Sequence, residues 1–190
     1  MSKQIKNIVI VGGGSAGWMT AATLIARLKG RDITLIESPN IPTVGVGEST
    51  LGFINEWLEF LGIEDEDFMK ACDASYKLSI RFTDFYKKGA GSFHYPFGGV
   101  NVDGNIFQKN DWYLKKMFYP ETHVSDYASC VYPIMSLVNK NKITDKDDLI
   151  PNYNFKSNCA YHFDAVKFAN WLKENYAKPR GVKNILAEVV

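Results

Sequence analysis
Three glycines spaced as Gly12-x-Gly14-x-x-Gly17, an acid at Glu37 and a lysine at Lys77 are the residues of this chain whose types and placement suggest chemistry. The glycines directly follow the apolar, β-branched run Ile8-Val9-Ile10-Val11. Ala21, Leu24, Ile25 and Leu28 then recur at helical spacing, so the glycine turn opens an amphipathic helix that ends near Gly30. In that setting Gly12 permits a tight turn, Gly14 lets the backbone approach a pyrophosphate, and Gly17 lets helix and strand pack closely. Ser15 and Ala16 complete the turn, and the helix N-terminus offers N–H groups and a positive dipole end to phosphates. Glu37 closes the next apolar run, Ile33-Thr34-Leu35-Ile36, where its carboxylate can accept hydrogen bonds from the ribose hydroxyls of an adenosine. An acid there disfavours a 2′-phosphate and hence NADP. The spacing does not separate FAD from NAD, and a plain glycine turn is the competing reading.

These residues need a parallel βαβ unit to position them. The run Ile8–Val11 has the pattern of a central strand buried on both faces. From Ser38 to Thr50, Pro39, Pro42, Gly45 and Gly47 predict an extended loop without a regular element. A helix follows with Phe53, Ile54, Trp57, Leu58 and Leu61 on one face and Gly62 as its stop, and the acidic run Glu64–Asp67 suits the start of a short second helix. Residues Tyr76–Phe82 alternate as one half-buried strand, with Lys77, Ser79 and Arg81 on a cationic polar face. By that pattern alone Lys77 is a solvated lysine. Between Lys87 and Asn158 the periodicity fades into an aromatic-rich stretch, with short helices expected around Trp112–Met117 and Tyr127–Val138. Asp164 is the N-cap expected of a helix carrying Ala165, Phe168, Ala169 and Leu172; Pro179-Arg180-Gly181 then turns the chain into a strand from Ile185 to Val190, inside which the chain stops.

Composition bounds the partners. With 190 residues, 46% hydrophobic and 23% charged, the chain reads as globular rather than disordered. A formal net charge of +1, from 22 Lys and Arg against 21 Asp and Glu, argues against nucleic acid. Cys72, Cys130 and Cys159 are odd in number and far apart, which fits a reducing compartment better than a disulfide framework or a zinc site. His94, His123 and His162 show no metal-ligand spacing and are expected as hydrogen-bonded structural residues. Neither a signal-peptide core nor a membrane span is visible, so a cytoplasmic protein without a membrane partner is expected.

A wider set of residues narrows the reading. The run Val9-Ile10-Val11-Gly12-Gly13-Gly14-Ser15-Ala16-Gly17-Trp18-Met19, then Leu35-Ile36-Glu37-Ser38, then Gly45-Val46-Gly47-Glu48-Ser49-Thr50 closely resembles the N-terminal part of the flavin-dependent tryptophan halogenases. The segments Ser75–Phe82, Phe93–Gly99 and Ala160–Ala165 are similar to the same family in order and rough spacing, with the weakest likeness between Asn101 and Asn158. The Gly-Trp pair and the Gly-Val-Gly-Glu-Ser loop carry most of the specificity.

The resemblance implies a Rossmann-like, three-layer α/β FAD-binding fold of the flavin monooxygenase type, incomplete in this chain. It divides as a βαβ unit with strap loop and lysine strand over 1–86, an aromatic-rich insertion towards the substrate over 87–160, and a return helix and strand over 161–190. It implies a two-site mechanism in which reduced FAD and oxygen give a flavin hydroperoxide, a halide ion (chloride, bromide or iodide) attacks it, and the hypohalous acid travels to an aromatic substrate. The residue matching the family's lysine, which hydrogen-bonds that acid or forms a haloamine, is Lys77. Confinement with one directing amine gives selectivity to a reagent that attacks any exposed aromatic ring. Val44, Gly45, Val46 and Gly47 match the strap that passes the isoalloxazine, with Glu48, Ser49 and Thr50 at its halide end; a plain connecting loop is the alternative. Phe97 matches a substrate-stacking phenylalanine, while Tyr95 stands where the family has a histidine, a departure that bears on tryptophan as substrate.

The implied partners are a tryptophan or indole-like small molecule and a separate NAD(P)H-dependent flavin reductase, with a homodimer as an open assembly. The family's Trp-x-Trp-x-Ile-Pro motif and its assisting glutamate are not among these residues. The length therefore reads as the front part of a larger flavoenzyme or a shortened relative. A flavin monooxygenase that hydroxylates an aromatic substrate and a non-catalytic FAD-binding fragment are the alternatives.

Overall fold
The computed structural model describes residues 5–42, 45, 47–98, 107–144 and 154–189, with side chains from 112 onward in the segment that begins at 107. The chain divides into two compact units. The first comprises residues 1–49, 56–75 and 161–190; the second comprises 50–55 and 76–160. The stretch 87–160, expected as an insertion of its own, thus shares a unit with the lysine segment that precedes it.

The first unit is built on a parallel sheet of β1 (Asn7–Val11), β2 (Asp32–Glu37) and β8 (Lys183–Leu186), in the order β1-β2-β8. Helix α1 (Ser15–Arg27) connects β1 to β2. This is the expected βαβ unit with its returning third strand, but β2 rather than β1 is central among the described residues. The uniformly apolar run misled here, because its side chains alternate: Val9 and Val11 are 59% and 64% exposed while Ile8 and Ile10 are half-buried. The fully covered side chains belong to β2, where Ile33 and Leu35 share the face that meets α1. The third strand starts two residues earlier than expected and ends at Leu186, because its partner β2 ends at the paired residue Glu37; it does not run on to Val190.

Within the same unit a short strand β3 (Gly47–Ser49) pairs antiparallel with β7 (Ala160–Asp164), in the register Gly47↔Asp164 to Ser49↔His162. The loop expected over Ser38–Thr50 therefore contains a strand whose partner lies more than a hundred residues away, beyond the reach of local pattern. Helix α7 (Ala165–Trp171) starts at Asp164, whose carboxylate accepts from the Lys167 N–H at 2.9 Å. It continues through a widened π turn, Leu172–Ala177, and the chain reverses at Gly181 with φ +104°.

Helix α2 (Phe53–Leu61) buries Ile54, Leu58 and Leu61, but Phe53, expected on that face, is 77% exposed. The helix stops at Gly62, φ +67°. The acidic run acts as a cap: the Glu64 N–H donates to the Asp67 carboxylate at 2.8 Å across the start of α3 (Asp65–Phe68). The Asp65 carboxylate accepts the Tyr161 hydroxyl at 2.6 Å. Phe68 is fully buried, with the rings of Tyr161, Phe163, Phe168 and Trp171 edge-on around it.

The second unit holds β4 (Ser75–Lys77, from Tyr76), β5 (Ser79–Thr83), β6 (Ser92–Pro96), α4 (Phe107–Phe118), α5 (Asp126–Val131) and α6 (Met135–Asn139). The strand expected over Tyr76–Phe82 is two strands interrupted at Leu78, whose carbonyl accepts the N–H of Phe97 at 2.9 Å. Strand β5 pairs antiparallel with β6, from Ser79↔Pro96 to Thr83↔Ser92, and Phe82 stacks on Phe93 with centroids 5.2 Å apart. The helix expected over Tyr127–Val138 is likewise two, because Pro133 lacks an N–H and biases Tyr132 to extended backbone, φ −111° and ψ 109°.

Candidate active site
In the first unit the site is made of backbone and one carboxylate. Gly12 follows β1 with φ +116°, a conformation that favours glycine, and its N–H donates to the Ile36 carbonyl at 2.8 Å, tying the turn to β2. A Cβ on Gly17 would stand 1.9 Å from the Gly12 carbonyl oxygen, so only glycine lets α1 start this close to the turn. Gly14 is the N-cap of α1 and contributes no side-chain cap, which leaves the first-turn N–H groups at Ser15 and Ala16 to be met by something else. The Ser15 hydroxyl donates to the Ala165 carbonyl at 3.2 Å. Gly45 approaches the same place from the strap: a Cβ there would lie 2.8 Å from Val166 Cγ2 and 3.4 Å from Ala165 Cβ. The start of α7 thus joins the glycine turn to the strap. Among the strap residues, Glu48 and Ser49 are exposed on β3, and Val44 and Val46 lie outside the described residues.

Glu37 ends β2 where the fingerprint requires an acid, and its carboxylate lies over the turn. A Cβ on Gly13 would be 1.8 Å from Glu37 Oε2. The spacing rule assigns Gly13 no task; the structure gives it the task of making room for the acid. Lys173 Nζ donates to Glu37 Oε1 at 2.6 Å, and Trp18 Nε1 donates weakly to Oε2 at 3.4 Å. Trp18, signalled only as part of the Gly-Trp pair, is 1% exposed. No sequence pattern points to Lys173.

In the second unit the site is made of side chains. Lys77 is 8% exposed, a buried charge on a strand where alternation predicts a solvated one. Its Nζ donates to the Thr50 carbonyl at 2.9 Å and lies 5.0 Å from the centroid of the Phe97 ring. Burial holds its pKa below the ordinary lysine value, because the charged form loses hydration. Phe97 is 8% exposed, and Gly98, φ +86°, follows it at a point where a Cβ would fall 1.6 Å from Asn158 Oδ1. Lys77, Phe97 and Thr50 are therefore brought together. Tyr95 is not: it is 58% exposed, opposite Ile80 in the β5–β6 pair.

His94 and His123 carry hydrogen bonds of the expected structural kind, His94 Nδ1 with Ser79 Oγ at 2.9 Å and His123 Nδ1 with Ser125 Oγ at 2.9 Å. Burial, and then the nearby Asp164 and Asp73, push the Cys72 thiol up to about 12, which keeps it protonated and a poor nucleophile. Among the described residues no group of three or more His, Cys, Asp or Glu could hold a metal ion, and no helix is long and apolar enough to cross a membrane.

A Rossmann-type parallel sheet with its glycine turn and terminal acid defines the class, a dinucleotide-binding α/β protein. The family model described as tryptophan halogenase matches residues 7–190, and the chain belongs to that family. It is 33% identical to tryptophan 7-halogenase RebH of Lentzea aerocolonigenes over 97% of its length, and 36% identical to tryptophan 6-halogenase SttH of Streptomyces toxytricini over 96%. It spans only 36% and 38% of those two proteins. Among solved structures it is similar to apo VirX1, with a TM-score of 0.87 and 43% identity over 98% of this chain and 36% of that one. It is also similar to the crystal structure of SttH, with a TM-score of 0.77 and 38% identity over 97% of this chain and 36% of that one.

Proposed function
We propose that the protein is a flavin-dependent halogenase that uses reduced FAD, oxygen and a halide to make hypohalous acid, and that Lys77 directs that acid onto tryptophan or an indole-like ring. The observation that carries this reading is the burial of Lys77 at 8% exposure, its Nζ on the Thr50 carbonyl at the end of the strap and over the Phe97 ring. An amine taken out of water at a cost, beside an aromatic face, suits a directing group better than a surface lysine.

The residues present fit FAD. Gly12, Gly14 and Gly17 allow close backbone approach, and the start of α1 carries no side-chain cap on its first-turn N–H groups. Gly12, Gly14, Ser15, Ala16 and Gly17 would hold the phosphates, Glu37 the adenosine ribose, and Val44, Gly45, Val46 and Gly47 the face of the ring system. Reduced FAD, when bound, would supply two electrons to oxygen, and the oxygen so reduced would oxidise the halide to the hypohalous level. Glu48 and the N–H groups of Ser49 and Thr50 would border the halide. The Lys77 ammonium donates to the oxygen of the hypohalous acid; as the oxygen–halogen bond breaks and the ring carbon takes the halogen, that oxygen leaves as water with the ring's proton. Phe97 presents an aromatic wall to the same amine. Tyr95 is exposed on β6, so in this reading Phe97 rather than Tyr95 faces the amine. Reduced flavin comes from a separate NAD(P)H-dependent reductase, and the setting is cytoplasmic.

The test supplies the protein with FAD, a flavin reductase, NADH, bromide and tryptophan or indoles, and reads products by mass. Brominated product that falls about 10³-fold in Lys77→Ala, with FAD affinity unchanged, is expected. Hydroxylated product instead would establish the monooxygenase reading, and bromination that survives Lys77→Ala would remove the lysine from the mechanism.

A further inference from the structure
We infer that Lys173 is a positioning residue for the adenosine end of the flavin, acting through Glu37; the inference rests on the FAD-binding reading above. Lys173 and Glu37 are 136 positions apart in sequence, yet Nζ and Oε1 are 2.6 Å apart with side chains only 18% and 14% exposed. The same Nζ lies 5.5 Å from the centroid of the Trp18 ring, and Trp18 Nε1 faces the other oxygen of Glu37. Both carboxylate oxygens and the ammonium are thus oriented by a triad drawn from α1, the end of β2 and the turn after α7.

The backbone supports the arrangement. Lys173 is the second residue of the widened turn Leu172–Ala177, which buries Leu172, Tyr176 and Ala177. Such turns shift the phase of a helix and collect at functional positions. Here the anchored turn leaves Lys173 directed at Glu37. The other side of the carboxylate is fixed by Gly13, whose missing Cβ leaves the space that Glu37 fills.

A carboxylate has about four lone-pair directions, so the bonds from Lys173 and Trp18 leave others to accept ribose hydroxyls. With its partner removed, a mostly buried carboxylate would swing to water, and that change weakens it as a ribose acceptor. Lys173 therefore sets affinity for the adenosine portion of FAD while touching no reacting atom.

The experiment titrates the purified protein with FAD and, separately, with FMN, which lacks the adenosine, and follows flavin fluorescence. The readout is the ratio of the two dissociation constants, which does not depend on the fraction of protein folded. Lys173→Met is expected to weaken FAD about tenfold and leave FMN unchanged, a loss typical of a charge-assisted hydrogen bond. Lys173→Arg, which keeps the charge and reach, restores most of the FAD affinity, and adding Lys173→Met to Glu37→Gln costs little further affinity. An unchanged FAD constant in Lys173→Met, or an equal loss for FAD and FMN, overturns the positioning role. Failure of the unaltered protein to bind FAD overturns the flavin reading itself and this inference with it.

Discussion
Two lysines, one in each unit, meet burial in different ways. Lys173 places its ammonium against the Glu37 carboxylate, with Trp18 beside both. Lys77 places its ammonium against a carbonyl and a ring face, and burial lowers its pKa. A lysine set against a carboxylate serves as a fixed strut. Lys77, whose charged form burial disfavours, gives its proton up more readily, a condition that suits the directing role proposed for it. The first unit is accordingly a cradle built from backbone and an ion pair, and the second holds the lysine whose charged form burial disfavours.

The sharpest way to break that contrast is to fill the cradle. Gly17→Ala forces a Cβ to 1.9 Å from the Gly12 carbonyl, a backbone atom that cannot move aside, so a loss of about 3 kcal/mol or more is expected in urea unfolding, together with loss of flavin binding. Gly47→Ala is the control, because its Cβ meets nothing nearer than the Phe163 carbonyl at 3.9 Å and is expected to leave stability almost unchanged. If the two alanines behave alike, the cradle is not held by close backbone approach.

A moderate effect is expected at the start of α7. Asp164→Ala removes the bond to the Lys167 N–H and should cost about 1 kcal/mol in the same measurement, with Asp164→Asn or Asp164→Ser recovering most of it. Because α7 also meets Ser15 and Gly45, flavin affinity should fall with the cap if this helix start supports the cradle.

The smallest effect at any one pH sharpens the lysine contrast. Lys77 has a folded pKa below its ordinary value of 10.5, so between the lowered value and 10.5 the unfolded chain binds more protons than the folded one. Its contribution to stability therefore rises with pH across that window. The stability of the unaltered protein relative to Lys77→Met is expected to climb as pH increases towards 10.5. A flat profile for Lys77 would mean that its ammonium is as well solvated as a surface lysine.

Much of the cradle is legible in the sequence. The glycine spacing, the β-branched strands and the acid at the end of β2 are local patterns, and the structure places each in the expected order. The cap at Asp164 and the stop at Gly62 follow from single residues with strong conformational preferences. What misleads is burial: the run Ile8–Val11 reads as central, and among the described residues β2 is central instead. Alternation around Lys77 reads as a solvated face, and the lysine is covered.

The sequence by itself therefore determined the glycine turn, the class of fold and the family, because those rest on residues adjacent along the chain whose backbone demands are strict. Only the tertiary structure decided the state of each charge. Whether Lys77 is dry, whether Glu37 is gripped by Lys173, and why Gly13 must be glycine all depend on atoms brought together from distant positions. Hydration and Coulomb energy vary over a few ångströms of space, and sequence distance does not report them.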